Sequence, residues 1–145
     1  MATLDDVMAI GRRERFLAVV STVRADATIQ SSVVNAGVLA HPVTGEQVVG
    51  FVTYGRVKLA NLRARPQLTV VFRSGGEWVS VEGRAELAGP DDPQAGLDPE
   101  RLRRLLREIF QAAGGTHDDW AAYDRAMAEQ HRTAALVMPA RVYSN

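Results

Sequence analysis

The apolar positions of the chain change texture near Gly89. Before it, short β-branched runs alternate with turn signals. After it, leucines recur at helical spacing and only the closing segment is extended again. Leu4, Val7 and Met8 fall at helical spacing behind Thr3, a good N-cap residue, so residues 4–15 are predicted to form a short helix. Residues 16–23 are too apolar and β-branched for a surface helix, and the turn Ala25-Asp26-Ala27 folds them back on residues 28–35 as a hairpin. His41-Pro42-Val43-Thr44-Gly45-Glu46 punctuates the chain before a strand over 48–53. A helix-sized segment then stops at Pro66, and strands over 67–72 and 78–87 follow, joined by Ser74-Gly75-Gly76.

Past Gly89-Pro90 the spacing predicts a strongly amphipathic helix, capped by Asp98 with Pro99 in its first turn and Leu102, Leu105, Leu106, Ile109 and Phe110 on one face. Gly114-Gly115 ends it. Thr116-His117-Asp118-Asp119 approximates a capping box for a second helix burying Trp120, Tyr123 and Met127, and residues 134–143 return to strand with Pro139 inside. Strands first and helices late argue for a mainly β, α+β chain: an antiparallel sheet or barrel with peripheral helices, not a doubly wound parallel sheet. No glycine fingerprint for a dinucleotide or nucleotide phosphate follows a strand.

A chain of 145 residues suits one domain, residues 1–145. Its 17 basic and 17 acidic residues balance, which removes the global basicity that nucleic-acid binding uses. The absence of cysteine excludes disulfides, thiolate metal sites and a thiol nucleophile, and suits a reducing compartment. The N-terminus carries early acids and no long apolar run, so neither a signal peptide nor membrane insertion is expected, and the cytoplasm is the expected location.

Charge becomes informative locally. No Asp or Glu interrupts 51–76, where Arg56, Lys58, Arg63, Arg65 and Arg73 stand. Arg56 and Lys58 at the start of a helix offer an anion site together with the free backbone N–H groups there. A solvated basic face, with Arg63 and Arg65 complementing the helix C-terminus, is the other reading. Gln30, Ser32 and Val34 share one strand face, on which a flat heterocycle could rest or water could lie. Trp78 opens a strand, presenting its indole to a ligand or packing it. His41, His117 and His131 are scattered without metal-site partners, and no nucleophile elbow or triad occurs, so no catalytic residue and no metal ligand is assigned. Such a chain suits chemistry carried by a bound cofactor, as in hydride transfer.

The succession of a strand pair with Gln30-x-Ser32, a strand, Arg56-x-Lys58-x-x-Asn61-Leu62-x-x-x-Pro66, a strand and Trp78-x-x-x-x-Gly83 resembles the split β-barrel flavin and deazaflavin oxidoreductases related to pyridoxamine 5′-phosphate oxidase. The similarity is greatest to the branch that uses coenzyme F420, and it spans almost the whole chain, including residues 117–123, Arg132 and residues 139–143. It implies a homodimeric split barrel with the cofactor in a groove between subunits. By position it implies that Arg56 and Lys58 hold the cofactor phosphate with Asn61 close behind. Gln30, Ser32 and Val34 floor the ring system, while Phe51, Val52 and Thr53 approach the ring and ribityl chain. Trp78 and Val79 contribute from the next hairpin, and Arg132 reaches in from the partner subunit. The expected activity is F420-dependent reduction of an electron-poor small molecule. An FMN-dependent oxidoreductase and a non-catalytic F420- or flavin-binding protein are the alternatives. The chain lacks the longer substrate-binding tail of the oxidase, so pyridoxamine phosphate oxidation is not expected.

Overall fold

The computed structural model describes residues 1–145. Its elements are α1 (Leu4–Arg13), β1 (Leu17–Val23), β2 (Ile29–Ala40), β3 (Gln47–Thr53), α2 (Arg56–Ala64), β4 (Gln67–Ser74), β5 (Glu77–Ala88), α3 (Pro99–Ala112), α4 (Trp120–Glu129) and β6 (Thr133–Ser144). The six strands close into an antiparallel barrel in the order β1-β2-β3-β6-β5-β4. The α+β architecture is therefore the one expected from strands preceding helices.

Local chemistry explains most boundaries. The Thr3 hydroxyl accepts the Asp5 N–H at 3.2 Å while Asp6 reaches back to the Thr3 N–H at 2.8 Å, a reciprocal cap on α1. Asp98 accepts the Arg101 N–H at 2.7 Å to open α3. The cap of α4 is Asp119, accepting the Ala122 N–H at 3.1 Å, whereas Thr116 lies before the helix and takes no part. Pro139 sits in β6 where the register with β5 slips between Glu82 and Gly83, so its missing N–H leaves no gap in a regular ladder.

Two apolar clusters result. The barrel interior holds Val20, Phe51, Phe72, Val70, Val79 and Val81, with α1 closing one end through Val7 and Ile10. The second lies outside the wall, where Leu105, Leu106 and Ile109 of α3 cover Val48, Ala134 and Leu136. β3 and the first half of β6 are thus buried on both faces, which is why they read as continuous apolar runs.

β2 is longer than the sequence predicts, running on through Ala36–Ala40. Its first half pairs only with β1, and its ladder with β3 begins at Ala36 opposite Phe51. The stretch 29–35 therefore carries one free edge. That opening, beside the end of β3, is where the site forms.

Candidate functional site

β3 ends at Thr53, and its hydroxyl accepts the Gly55 N–H at 3.2 Å, turning the chain into α2. Gly55 is the N-cap of α2 and supplies no side chain to cap it. Leu59 is the first residue to donate, to the Gly55 carbonyl at 3.0 Å, so the N–H groups of Arg56, Val57 and Lys58 have no partner in the helix. No acidic residue occupies that first turn. The positive end of the helix is left bare beside the opening in β2.

A cavity of about 670 Å³ lies here, within the usual range for a small-molecule site. One wall is Val33, Val34 and Asn35 of β2. A second is Val52, Thr53, Tyr54, Gly55 and Lys58. The third is apolar: Ile109, Phe110 and Ala113 of α3 with Tyr123 and Met127 of α4. Arg132 completes it. The lining holds two cations and no carboxylate.

Lys58 is the unusual member. Its side chain is 7% exposed, its nitrogen lies 5.8 Å from the centroid of the Phe51 ring, and none of the ion pairs of the molecule includes it. Burial without a counter-ion pushes its pKa below the ordinary lysine value. Arg132 presents its guanidinium to the exposed Tyr54 ring, 3.7 Å from the centroid, and donates from Nε to Gln130 at 2.8 Å. The Tyr123 hydroxyl is engaged, donating to the Leu106 carbonyl at 3.1 Å, and burial pushes its pKa up to about 12. It is thereby a packing group, not a proton donor.

The expected residues divide. Val34, Val52, Thr53, Lys58 and Arg132 meet at the cavity. Arg132 does so within its own chain, because Thr133 pairs with Thr53 and sets its neighbour beside Tyr54. Arg56 begins α2 and its side chain is exposed, whereas Lys58, about 200° further round the helix, is buried. Phe51 and Val79 belong to the barrel interior. Trp78 packs edge-on against Tyr143 at 6.0 Å, away from the cavity.

Gln30, Ser32 and Asn61 sit on the inner side of β2 and α2 without lining the cavity. Asn61 is fully engaged, donating to Thr22 at 3.0 Å and accepting from Arg65 at 3.4 Å. Ser32 Oγ is the buried side-chain polar atom left without a hydrogen bond. The sequence reading did not assign Asn35, Tyr54, Phe110, Tyr123 and Met127 to a site. Phe110, Tyr123 and Met127 were legible only as apolar helix faces, since nothing in their spacing says that α3 and α4 fold over the end of β3.

The sequence profile of pyridoxamine 5′-phosphate oxidase matches residues 4–144. The chain belongs to the pyridoxamine 5′-phosphate oxidase family. The family is one of flavin-binding oxidoreductases. Among solved structures, a conserved hypothetical protein from Mycobacterium tuberculosis superposes with a TM-score of 0.69 at 17% identity, over 99% of this chain and 84% of that one. A pyridoxamine 5′-phosphate oxidase-related, FMN-binding protein from Nostoc punctiforme gives 0.66 at 13% identity, over 97% and 80%. An F420 reductase gives 0.59 at 19% identity, over 89% and 90%. At these identities the likeness establishes the fold. No curated protein matches the sequence.

The donors present fit a phosphate-bearing group of the family's kind. A desolvated ammonium without an ion-pair partner and three N–H groups unengaged within the helix are left to an anionic, hydrogen-bonding ligand.

Proposed function

We propose that the chain is a coenzyme F420-dependent reductase acting on an electron-poor small molecule. The observation that carries this reading is Lys58: a buried cation with no counter-ion, in the first turn of a helix whose N-terminus is bare, needs an anion to complete it. Lys58 and the N–H groups of Arg56, Val57 and Lys58 would hold the cofactor phosphate, with the exposed Arg56 adding charge from outside. Val34, Val52 and Thr53 would line the body of the cofactor. When bound, the deazaflavin supplies the hydride.

The chain's own part is orientation and exclusion of water. Phe110, Tyr123 and Met127 form an apolar wall that favours a flat, weakly solvated acceptor over a charged one. Holding donor and acceptor in contact geometry supplies about 7–11 kcal/mol in favourable systems, without an acid or base at the site.

Dimerisation belongs to the same proposal. Val19 and Val33 are cross-strand partners on the outward face of β1 and β2, 42% and 63% exposed, flanked by Leu17 and Ile29 at 45% and 58%. Such a patch beside a free strand edge suits a second copy. Because Val33 also edges the cavity, that copy would roof it.

FMN is the second reading. It shares the ribityl phosphate that Lys58 would take, and an FMN-binding protein has the same fold. Titration of apo-protein with F420 and with FMN, followed by oxidation of the reduced cofactor with quinones and enones, separates the two. Tighter F420 binding with acceptor-dependent oxidation supports the proposal. FMN binding alone, with a yellow protein as purified, replaces it, and cofactor binding without turnover across the acceptor panel points to a non-catalytic binder.

A further inference from the structure

Behind the anion site lies a buried chain of hydrogen bonds that touches no part of the cavity. Thr22 of β1 is wholly buried at its centre. Its hydroxyl accepts from Asn61 Nδ2 at 3.0 Å and donates to Gln30 Oε1 at 3.0 Å. The Asn61 carbonyl accepts from Arg65 Nη2 at 3.4 Å, and Arg65 Nε donates to the Val23 carbonyl at 2.8 Å. Both ends of the Asn61 amide are therefore used, and the threonine hydroxyl serves as acceptor and donor at once.

The chain ties β1 to β2 and α2, and the last two supply Val33, Val34, Asn35 and Lys58 to the cavity lining. Asn61 stands three residues beyond Lys58, so both project from one face of α2 and any rotation or slide of the helix carries them together. Outside this hydrogen-bond chain, α2 is held by its apolar anchors Leu59 and Leu62 and, near its C-terminus, by the Arg63–Asp92 ion pair at 2.7 Å, while its N-cap lacks a side-chain bond. A lysine on a flexible four-carbon stem would otherwise move its charge to water.

We infer that Thr22, Asn61 and Gln30 are positioning residues: their hydrogen-bond chain sets the rotation of α2 and thereby holds the Lys58 ammonium desolvated and unpaired, facing the cavity. The inference rests on the anion-site reading for its consequence in binding, but not for its consequence at Lys58 itself. A merely structural role would lower stability and weaken ligand binding whether or not Lys58 were present. A positioning role acts through Lys58 and disappears with it.

The test uses Thr22→Val, which keeps the shape and removes both hydrogen-bonding functions, with Thr22→Ser as the conservative rescue. Two quantities are read on the full chain: the titration of Lys58 by carbon-detected NMR of its ε-carbon, and the affinity for FMN and F420 in a double-mutant cycle with Lys58→Ala. In Thr22→Val the Lys58 titration moves up toward the ordinary lysine range and cofactor affinity falls about ten-fold. Thr22→Ser restores both, and in the Lys58→Ala background Thr22→Val changes affinity less than two-fold. Gln30→Ala, at a half-buried rim position, gives a smaller shift of the same sign and serves if Thr22→Val does not fold. An unmoved Lys58 titration in a folded variant, or an affinity loss that persists without Lys58, overturns the inference. If wild-type protein binds neither FMN nor F420, the anion-site reading fails, while the Lys58 titration still decides the positioning role.

Discussion

The Lys58 nitrogen stands 5.8 Å from the centre of the Phe51 ring, and no carboxylate is paired to it. A cation–π contact of this kind offsets only part of the desolvation of an ammonium. The remainder is stabilisation that a bound anion can supply.

Stability should therefore depend on pH through Lys58. Its native pKa lies below the ordinary 10.5, so between the two values the unfolded chain holds a proton that the native chain has released. Stability contributed at this site rises with pH across that window, and below the lowered pKa the full cost of the buried charge remains. Urea titrations of wild type and Lys58→Met, from neutral pH up to 10.5, should converge as pH rises, with Lys58→Met the more stable at neutral pH. Cofactor affinity should run the other way, falling as Lys58 loses its proton.

Gly37 of β2 pairs with Gly50 of β3 directly beneath α3, and a Cβ on Gly37 would stand 2.4 Å from the Ala112 backbone. A Cβ on Gly50 would meet the side chains of Leu39 and Ile109 instead. Backbone cannot yield as a side chain can. Gly37→Ala should cost about 1–3 kcal/mol and displace the cavity wall made by α3, more than Gly50→Ala, as read by thermal unfolding.

The pairing of Val19 with Val33 predicts an interface. Replacing both with Asp should convert a dimer into a folded monomer, halving the mass seen by light scattering with unchanged circular dichroism. A dimer that survives the pair would place the interface elsewhere.

Met127 lines the cavity from α4. Met127→Ala should raise the KM for an apolar acceptor by roughly ten-fold while leaving the Kd for the cofactor within two-fold, since pocket contacts of this size carry about 1–3 kcal/mol. A matched loss in both would put the cofactor, not the acceptor, against that wall.

The parts that rest on local chemistry were legible in the sequence. Strand runs, the Thr3 and Asp98 caps and the glycine turn before Glu77 all follow from short-range preferences. The second half of β2 was not, because Ala36-Gly37-Val38-Leu39-Ala40 is covered by α3 on one side and faces the barrel on the other, which erases alternation. Arg56 and Lys58 were legible as an anion pair but not as one exposed and one buried residue, since that turns on the first residue of α2. Asn61 looked like a third ligand because its partner, Thr22, lies 39 residues away and only the closed barrel brings the two together.

The central claim is that Lys58 holds a phosphate. Its most direct test compares wild type and Lys58→Met for F420 against its dephosphorylated form, and for FMN against riboflavin, by equilibrium titration. A charge-assisted hydrogen bond is worth about 1.5–3 kcal/mol, so the variant should lose roughly 10- to 100-fold in affinity for the phosphorylated member of whichever pair binds. Its affinity for the dephosphorylated member should be unchanged. An equal loss for both members, or no loss for either, would contradict the account.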